Sequence, residues 1–168
     1  MSLGIGGHQS AKMGSDDWIT PKFILDELGT FDLDPCSSST QPWPTAKTML
    51  TKEDDGLSSP WFGRVFLNPP YGQETWKWLK RLSEHNNGTA LIFARTETEM
   101  FFNYVWGKCS SILFLKGRLH FHYPNGTRAK FNSGAPSCLV SYDHQTTQPN
   151  TQKLAEANIP GALIPQNY

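Results

Sequence analysis

The sequence predicts an α/β domain in which a mostly parallel sheet is covered by helices. Short runs rich in apolar and β-branched residues, Val65-Phe66-Leu67, Thr89 to Ala94, Ser111 to Leu115 and Ser137 to Tyr142, have the length and composition of buried strands. Segments with apolar residues three and four apart lie between them, as with Trp78, Leu79 and Leu82, or Met100, Phe101, Tyr104 and Val105. Strand and helix patterns alternate, the signature of parallel strands joined by crossover helices. The length of 168 residues suits one domain with a sizeable core. The expected organisation is a flexible arm over 1–15, a catalytic-type body over 16–144, and a polar, proline-punctuated tail over 145–168 that is loosely docked or partly disordered.

In chain order, Thr20 and Pro21 are placed to begin a helix over Lys22 to Leu28, with Thr20 as its cap and Gly29 as its end. Ile24, Leu25 and Leu28 fall on one face of it. A short strand follows at Phe31 to Asp34 and breaks into Pro35-Cys36-Ser37, and Thr45 to Thr51 reads as a short edge strand leading to Lys52-Glu53-Asp54-Asp55-Gly56. Asp54 lies 20 residues after Asp34, near the spacing at which nucleotide-binding α/β folds place an acid for ribose hydroxyls; the same residues also read as an ordinary solvated turn. Glu74 to Asn86 reads as a helix with Gly88 just beyond its end, and Thr98 to Lys108 as another. The strand from Thr89 delivers Arg95 to the same rim of the sheet.

Composition excludes several classes. Lys plus Arg equals Asp plus Glu at 15 each, so no global positive field draws the chain to nucleic acid and any such contact needs a local basic patch. Lys116 to Phe131 supplies one: Lys116, Arg118, Arg128 and Lys130 without an acidic residue, with interleaved aromatics and an Asn125-Gly126 hairpin turn. His120 and His122 on that hairpin lack a third ligand, and Cys36, Cys109 and Cys138 are odd in number and widely spaced, so neither a metal site nor a disulfide framework is expected. No apolar run reaches membrane-spanning length and no secretory leader is visible, which points to a soluble protein of the cytoplasm.

The strongest functional signal is Asn68-Pro69-Pro70-Tyr71 at the carboxyl end of the Val65 strand. Two prolines offer no amide hydrogens, so the ladder must stop and the turn is stiff at the rim where open α/β sheets bind ligands. An exocyclic amino group on a nucleobase is a poor nucleophile because its lone pair is delocalised. The Asn68 side-chain oxygen and the Pro69 carbonyl suit its two hydrogens, and stacking on Tyr71 would contribute roughly 1–3 kcal/mol toward holding a base out of a duplex. Alone, the tetrapeptide is equally compatible with a rigid surface turn or a proline-rich ligand motif.

The ordered blocks Asp17 to Pro21, Leu33 to Ser37, Lys52 to Leu57 with Trp61, Arg64 to Gly72, Ala94 to Thr96, and Leu115 to Phe121 together resemble the phage DNA N6-adenine methyltransferase family, the small Dam-type enzymes. The resemblance spans about Asp16 to Tyr142. It implies a compact class I methyltransferase fold, Rossmann-like with helices on both faces, and an enzyme of phage or prophage origin acting in the bacterial host. S-adenosylmethionine would be the methyl donor and adenine in DNA the acceptor. It places Asn68, Pro69, Pro70 and Tyr71 at the catalytic turn; Thr20, Pro21, Asp34, Pro35, Cys36 and Ser37 in the cofactor cleft; and Asp54 or Asp55 at the cofactor's ribose or adenine. The local charge pattern, and not the resemblance, sets Arg95, Lys116, Arg118, Arg128 and Lys130 as the expected DNA contacts. The glycine-rich first motif of the wider methyltransferase superfamily is absent, with Asp34-Pro35-Cys36-Ser37 in its place. Transfer to cytosine N4 or to a protein glutamine amide fits the same turn, and a non-catalytic DNA-binding or phage structural module is the alternative from another class.

Overall fold

The computed structural model describes residues 17–143 and 148–166, so the expected arm over 1–15 lies outside the described residues. Its strands are β1 (Leu33–Asp34), β2 (Thr48–Met49), β3 (Val65–Leu67), β4 (Gly88–Phe93), β5 (Ser111–Leu115), β6 (Ser137–Tyr142) and β7 (Gly161–Pro165). They form one sheet in the order β2-β1-β3-β4-β6-β5-β7. The first four are mutually parallel, whereas β6 runs antiparallel to both β4 and β5, and β7 runs antiparallel to β5. The expected parallel character therefore holds for the first half of the sheet, and the second half is antiparallel at each pairing.

Side chains alternate across this sheet with the period of two that strand geometry imposes. Val65 and Leu67, Ala90 and Ile92, Cys138 and Val140 face one core with Leu79, Leu82, Phe101 and Val105. Phe66, Leu91, Leu113 and Leu139 face the other, with Ile24, Leu25, Leu28 and Leu154. Helices α2 (Thr75–His85) and α3 (Glu99–Tyr104) thus cover one face, and α1 (Lys22–Leu28) with α4 (Pro149–Glu156) the other. Val65, Phe66 and Leu67 are each 0% exposed, worth about 1.5–3 kcal/mol of burial apiece, which is why this three-residue strand is fixed in register. A Cβ on Gly88 would lie 2.3 Å from the Val65 carbonyl oxygen, so glycine is needed where β4 meets β3. The helix α2 is closed instead by Asn86 at φ 56°, whose amide donates to the Leu82 carbonyl.

Two further expectations change. Thr20 does not cap α1; Pro21 takes that position and no side chain caps the helix, while Gly29 at φ 79° ends it as expected. The expected loose tail is, from Gln148 to Gln166, part of the body. The Asp143 carboxylate accepts from the Asn150 amide (2.8 Å) and the Thr151 amide (3.0 Å), satisfying two open donors of α4's first turn. Asn150 is 0% exposed; its Oδ1 accepts from Arg64 Nε (2.6 Å) and its Nδ2 donates to the Tyr142 carbonyl (3.0 Å) and Asn87 Oδ1 (3.1 Å). Leu154 and Ile159 enter the second core, and β7 adds five register pairs to β5.

Asn150→Ala should leave Arg64 Nε, Asn87 Oδ1 and the Tyr142 carbonyl under-satisfied in the interior while keeping the backbone bond to Asp143. The expected loss is about 2–3 kcal/mol of unfolding free energy, read by urea denaturation.

Candidate active site

The chain leaves β1 toward β2 on one side, and β3 lies on the other, so the strand order reverses at β1 and opens a crevice beyond the carboxyl ends of β1 and β3. A cleft occupies that place. Asn68 to Tyr71 form one wall, Asp34 and Cys36 to Ser38 another, and Asp17 to Thr20, Gln41 and Thr45 complete it.

The turn after β3 is held from several directions. Asn68 Nδ2 donates to the Trp18 carbonyl (2.9 Å) and to Thr20 Oγ1 (3.1 Å), and Asn68 Oδ1 accepts from the Tyr71 hydroxyl (3.3 Å). Cys36 Sγ donates to the Asn68 carbonyl (3.3 Å). Thr75 Oγ1, at the start of α2, donates to the Pro70 carbonyl (2.6 Å) and accepts from the Gly72 amide (2.9 Å). The Pro69 carbonyl accepts nothing from the described residues. Tyr71 stacks on Phe93 with ring centroids 4.2 Å apart and meets Phe121 edge-on at 6.3 Å; burial pushes its hydroxyl well above the usual range, so it remains a protonated donor.

Beyond β1, Asp34 Oδ1 accepts from the Cys36 amide (3.0 Å) and Oδ2 from the Thr45 hydroxyl. Burial outweighs these hydrogen bonds and pushes the carboxyl up to about 6. Cys36 is held as a thiol by burial and by the neighbouring Asp34 charge. The Ser37 amide (2.8 Å) and hydroxyl (3.0 Å) both donate to the Leu50 carbonyl, fastening the β1 exit to the β2 exit.

The basic segment is coupled to this cleft. Ile19 and His122 exchange two backbone hydrogen bonds of 3.0 Å each, and Trp18 packs against Phe121 (6.4 Å) and Tyr123 (5.8 Å). The segment folds back on itself through Tyr123 to Thr127 and Phe121 to Ala129 pairings, making a hairpin with only isolated bridges in place of regular strands. A family model described as DNA N-6-adenine-methyltransferase (Dam) matches residues 7–159.

The chain belongs to this family. Neither a curated protein nor a solved structure matches it. Membership of the Dam family makes it a DNA adenine methyltransferase with DNA as its substrate, and enzymes of this family generally use S-adenosylmethionine.

In this Dam-family chain, the structure brings Asn68, Pro69, Pro70, Tyr71, Thr20, Asp34, Cys36 and Ser37 together around one cleft. It does not bring Pro21, Pro35, Asp54 or Asp55 to the lining. The Pro21 carbonyl starts α1 by accepting from the Ile24 amide (3.1 Å). The Pro35 carbonyl lies against Gly56, where a Cβ would approach it to 1.8 Å. Asp54 Oδ2 accepts from the Thr51 amide (2.8 Å), closing a capping box on the 3-10 turn Lys52–Asp54, and Asp55 Oδ2 accepts from Ser58 Oγ (2.7 Å). The spacing from Asp34 thus leads to a solvated turn that each acid helps to hold through its Oδ2, away from the cleft lining. Sequence reasoning assigned no role to Asp17, Trp18, Gln41 and Thr45 at the cleft; Asp17 and Trp18 stood in the first block of the resemblance, which was the available signal.

Lys116, Arg118, Arg128 and Lys130 are exposed, and Arg95 is half-buried with its guanidinium 6.0 Å above the Phe93 ring. His120 Nδ1 lies 3.1 Å from the Ala129 carbonyl, and burial with the nearby Arg128 charge lowers the pKa of His122, so the two histidines serve the hairpin. Among the described residues no group of three or more His, Cys, Asp or Glu side chains is placed to hold a metal ion, and no helix is long and apolar enough to cross a membrane.

Because Asp34 holds its proton more tightly folded than unfolded, it supports folding below about pH 4 and withdraws that support as the pH rises to about 6. Asp34→Asn keeps an acceptor for the Cys36 amide without the charge. In the ligand-free protein it should raise stability above pH 6 by up to about 3 kcal/mol and flatten the pH 4–6 segment of the denaturation profile.

Proposed function

We propose that this enzyme transfers a methyl group from S-adenosylmethionine to the N6 amino group of adenine in DNA by direct in-line displacement, gripping a base swung out of the duplex with Asn68-Pro69-Pro70-Tyr71. The observation that carries the reading is the state of the turn's acceptors. The Trp18 carbonyl can only accept, so the Asn68 amide nitrogen is committed to it and Oδ1 is the atom on the Tyr71 side. Oδ1 keeps a lone pair beyond the long Tyr71 hydrogen bond, and the Pro69 carbonyl is unspent. Two acceptors on a proline-locked backbone match the two hydrogens of an amino group and draw its lone pair out of conjugation with the ring.

The cleft residues fit the cofactor. Its sulfonium and ammonium groups are cationic, and the cleft offers Asp17 and the buried Asp34 carboxyl, whose raised pKa marks an anion short of positive charge. Ser38 provides a hydroxyl for its ribose or carboxylate. When bound, S-adenosylmethionine supplies an electrophilic methyl group. The chain's own contribution is to bind and orient: Asn68 and Pro69 aim the amino nitrogen, and Tyr71, backed on one face by Phe93, offers its remaining surface to the base. Such positioning supplies roughly 7–11 kcal/mol in well-oriented pairs. Cys36, the thiol of the cleft, is kept protonated, consistent with transfer that forms no covalent bond to the enzyme. The parallel half-sheet with its cleft at the β1 switch supports a compact class I, Rossmann-like methyltransferase arrangement. We place the enzyme in the cytoplasm of a bacterial host, encoded by a phage or prophage.

The exposed Lys116, Arg118, Arg128 and Lys130, with Arg95 at the rim, are the proposed phosphate contacts.

Incubation with S-adenosylmethionine and DNA of mixed sequence should yield N6-methyladenine on nucleoside mass spectrometry; N4-methylcytosine in its place would reassign the acceptor. Asn68→Ala should lower turnover by at least about a hundredfold while calorimetry shows cofactor affinity largely retained, as expected for a group that acts on the base. Wild-type turnover in that variant would remove the proposed centre. Replacing Arg128 and Lys130 together with Ala should weaken DNA binding and reduce the slope of log K against log salt by about 2, since each phosphate contact contributes about 0.9.

A further inference from the structure

Whether the turn offers a base an acceptor or a donor depends on which way the Asn68 amide faces. The terminal torsion of an asparagine is broad, so rotamer preference does not decide this and hydrogen bonds must. We propose that Thr20 is a positioning residue for methyl transfer: the Trp18 carbonyl turns Asn68 Nδ2 inward, and the Thr20 hydroxyl, taking its second hydrogen, holds the amide at the place where Oδ1 meets the adenine amino group. This rests on the reading of Asn68 as the group that grips the base.

The amide nitrogen has two hydrogens, and the segment Trp18 to Thr20 provides one acceptor for each, at 2.9 Å and 3.1 Å. Thr20 stands immediately before α1, where a threonine ordinarily caps the helix, yet its side chain makes no capping bond and is directed to Asn68. It is 1% exposed and Asn68 is half-buried, so removing the hydroxyl takes away the packed, fixed acceptor of one Asn68 N–H. The residue is also stiffly mounted. Trp43 Nε1 donates to the Thr20 carbonyl (2.9 Å), Ile19 is paired on both sides with His122, and a β-branched side chain has few rotamers. Turning the amide over would set Oδ1 against the Trp18 carbonyl, which cannot donate, and present two donors to an amino group that needs acceptors; the carbonyl thus sets which way the amide faces, and the Thr20 hydroxyl, able to donate or accept, fixes where it sits. With the hydroxyl gone, the Trp18 carbonyl alone anchors the amide, which is then free to tilt away from the adenine amino group.

Thr20 also lines the cleft, so a simple contact with the cofactor is the competing account, and kinetics separate the two. Steady-state rates are measured with both S-adenosylmethionine and DNA varied for wild type, Thr20→Val and Thr20→Ser, alongside cofactor affinity by calorimetry and thermal melting. The expected result is a kcat lowered about tenfold in Thr20→Val at saturation with both substrates, with cofactor Kd within about twofold of wild type. Thr20→Ser, which keeps the hydroxyl, should restore kcat to within about twofold. A Thr20→Val enzyme with wild-type kcat and a raised KM for S-adenosylmethionine would overturn the proposal in favour of a cofactor contact. A loss in kcat that Thr20→Ser does not restore would overturn it in favour of side-chain shape. Should Thr20→Val melt below the assay temperature, Thr20→Ala takes its place in the same comparison. Absence of N6-methyladenine with the wild-type enzyme would instead remove the reading of Asn68, an outcome distinct from any of these.

Discussion

Asn68 occupies the point where a strand buried on both faces is forced to stop. Val65, Phe66 and Leu67 fill both cores, so β3 has no freedom to slide. Pro69 and Pro70 remove the next two amide donors, so the ladder has no means of continuing. The chain therefore delivers one polar side chain and one unspent carbonyl to a fixed place. What completes the site is the pair of hydrogen bonds from Asn68 Nδ2 to Trp18 and Thr20, which joins two segments 48 to 50 residues apart in sequence. Remove that junction and the cleft loses both a wall and the orientation of its central amide.

The same junction ties the turn to the basic hairpin. Ile19 pairs with His122, and Trp18, Phe121, Tyr71 and Phe93 form a continuous aromatic contact from the basic hairpin to the turn. A chain with no net charge has no long-range field to gather DNA, and under the proposed reading the cations mounted beside the turn supply that attraction locally. On the other side of the cleft, Asp34 is buried with hydrogen bonds that satisfy its oxygens but no cation that balances its charge. That imbalance costs stability in the ligand-free protein and favours a cationic guest.

Stability is supplied from outside the cleft. Asp143, at the end of β6, caps α4, and Asn150 from α4 reaches Arg64, Asn87 and the Tyr142 carbonyl. The final segment thereby becomes the seventh strand of the sheet and the cover of the second core.

Much was legible in the sequence because it rests on local rules. Apolar runs of strand length, helical spacing around Leu79 and Leu82, and two prolines after Asn68 each act through neighbouring residues, and they gave the strands, the helices and the turn. Their order gave the family. The tertiary structure decided what depends on partners distant in the chain. Thr20 looks like a cap until Asn68 is brought to it, and Asp54 looks like a ribose ligand until its own turn consumes it. The polar stretch after Gln148 looks unanchored until Asp143 and Arg64 supply its partners. Local pattern fixes where a side chain sits along its own element. A polar group's role depends on which other group meets it after folding, and a linear pattern does not carry that information.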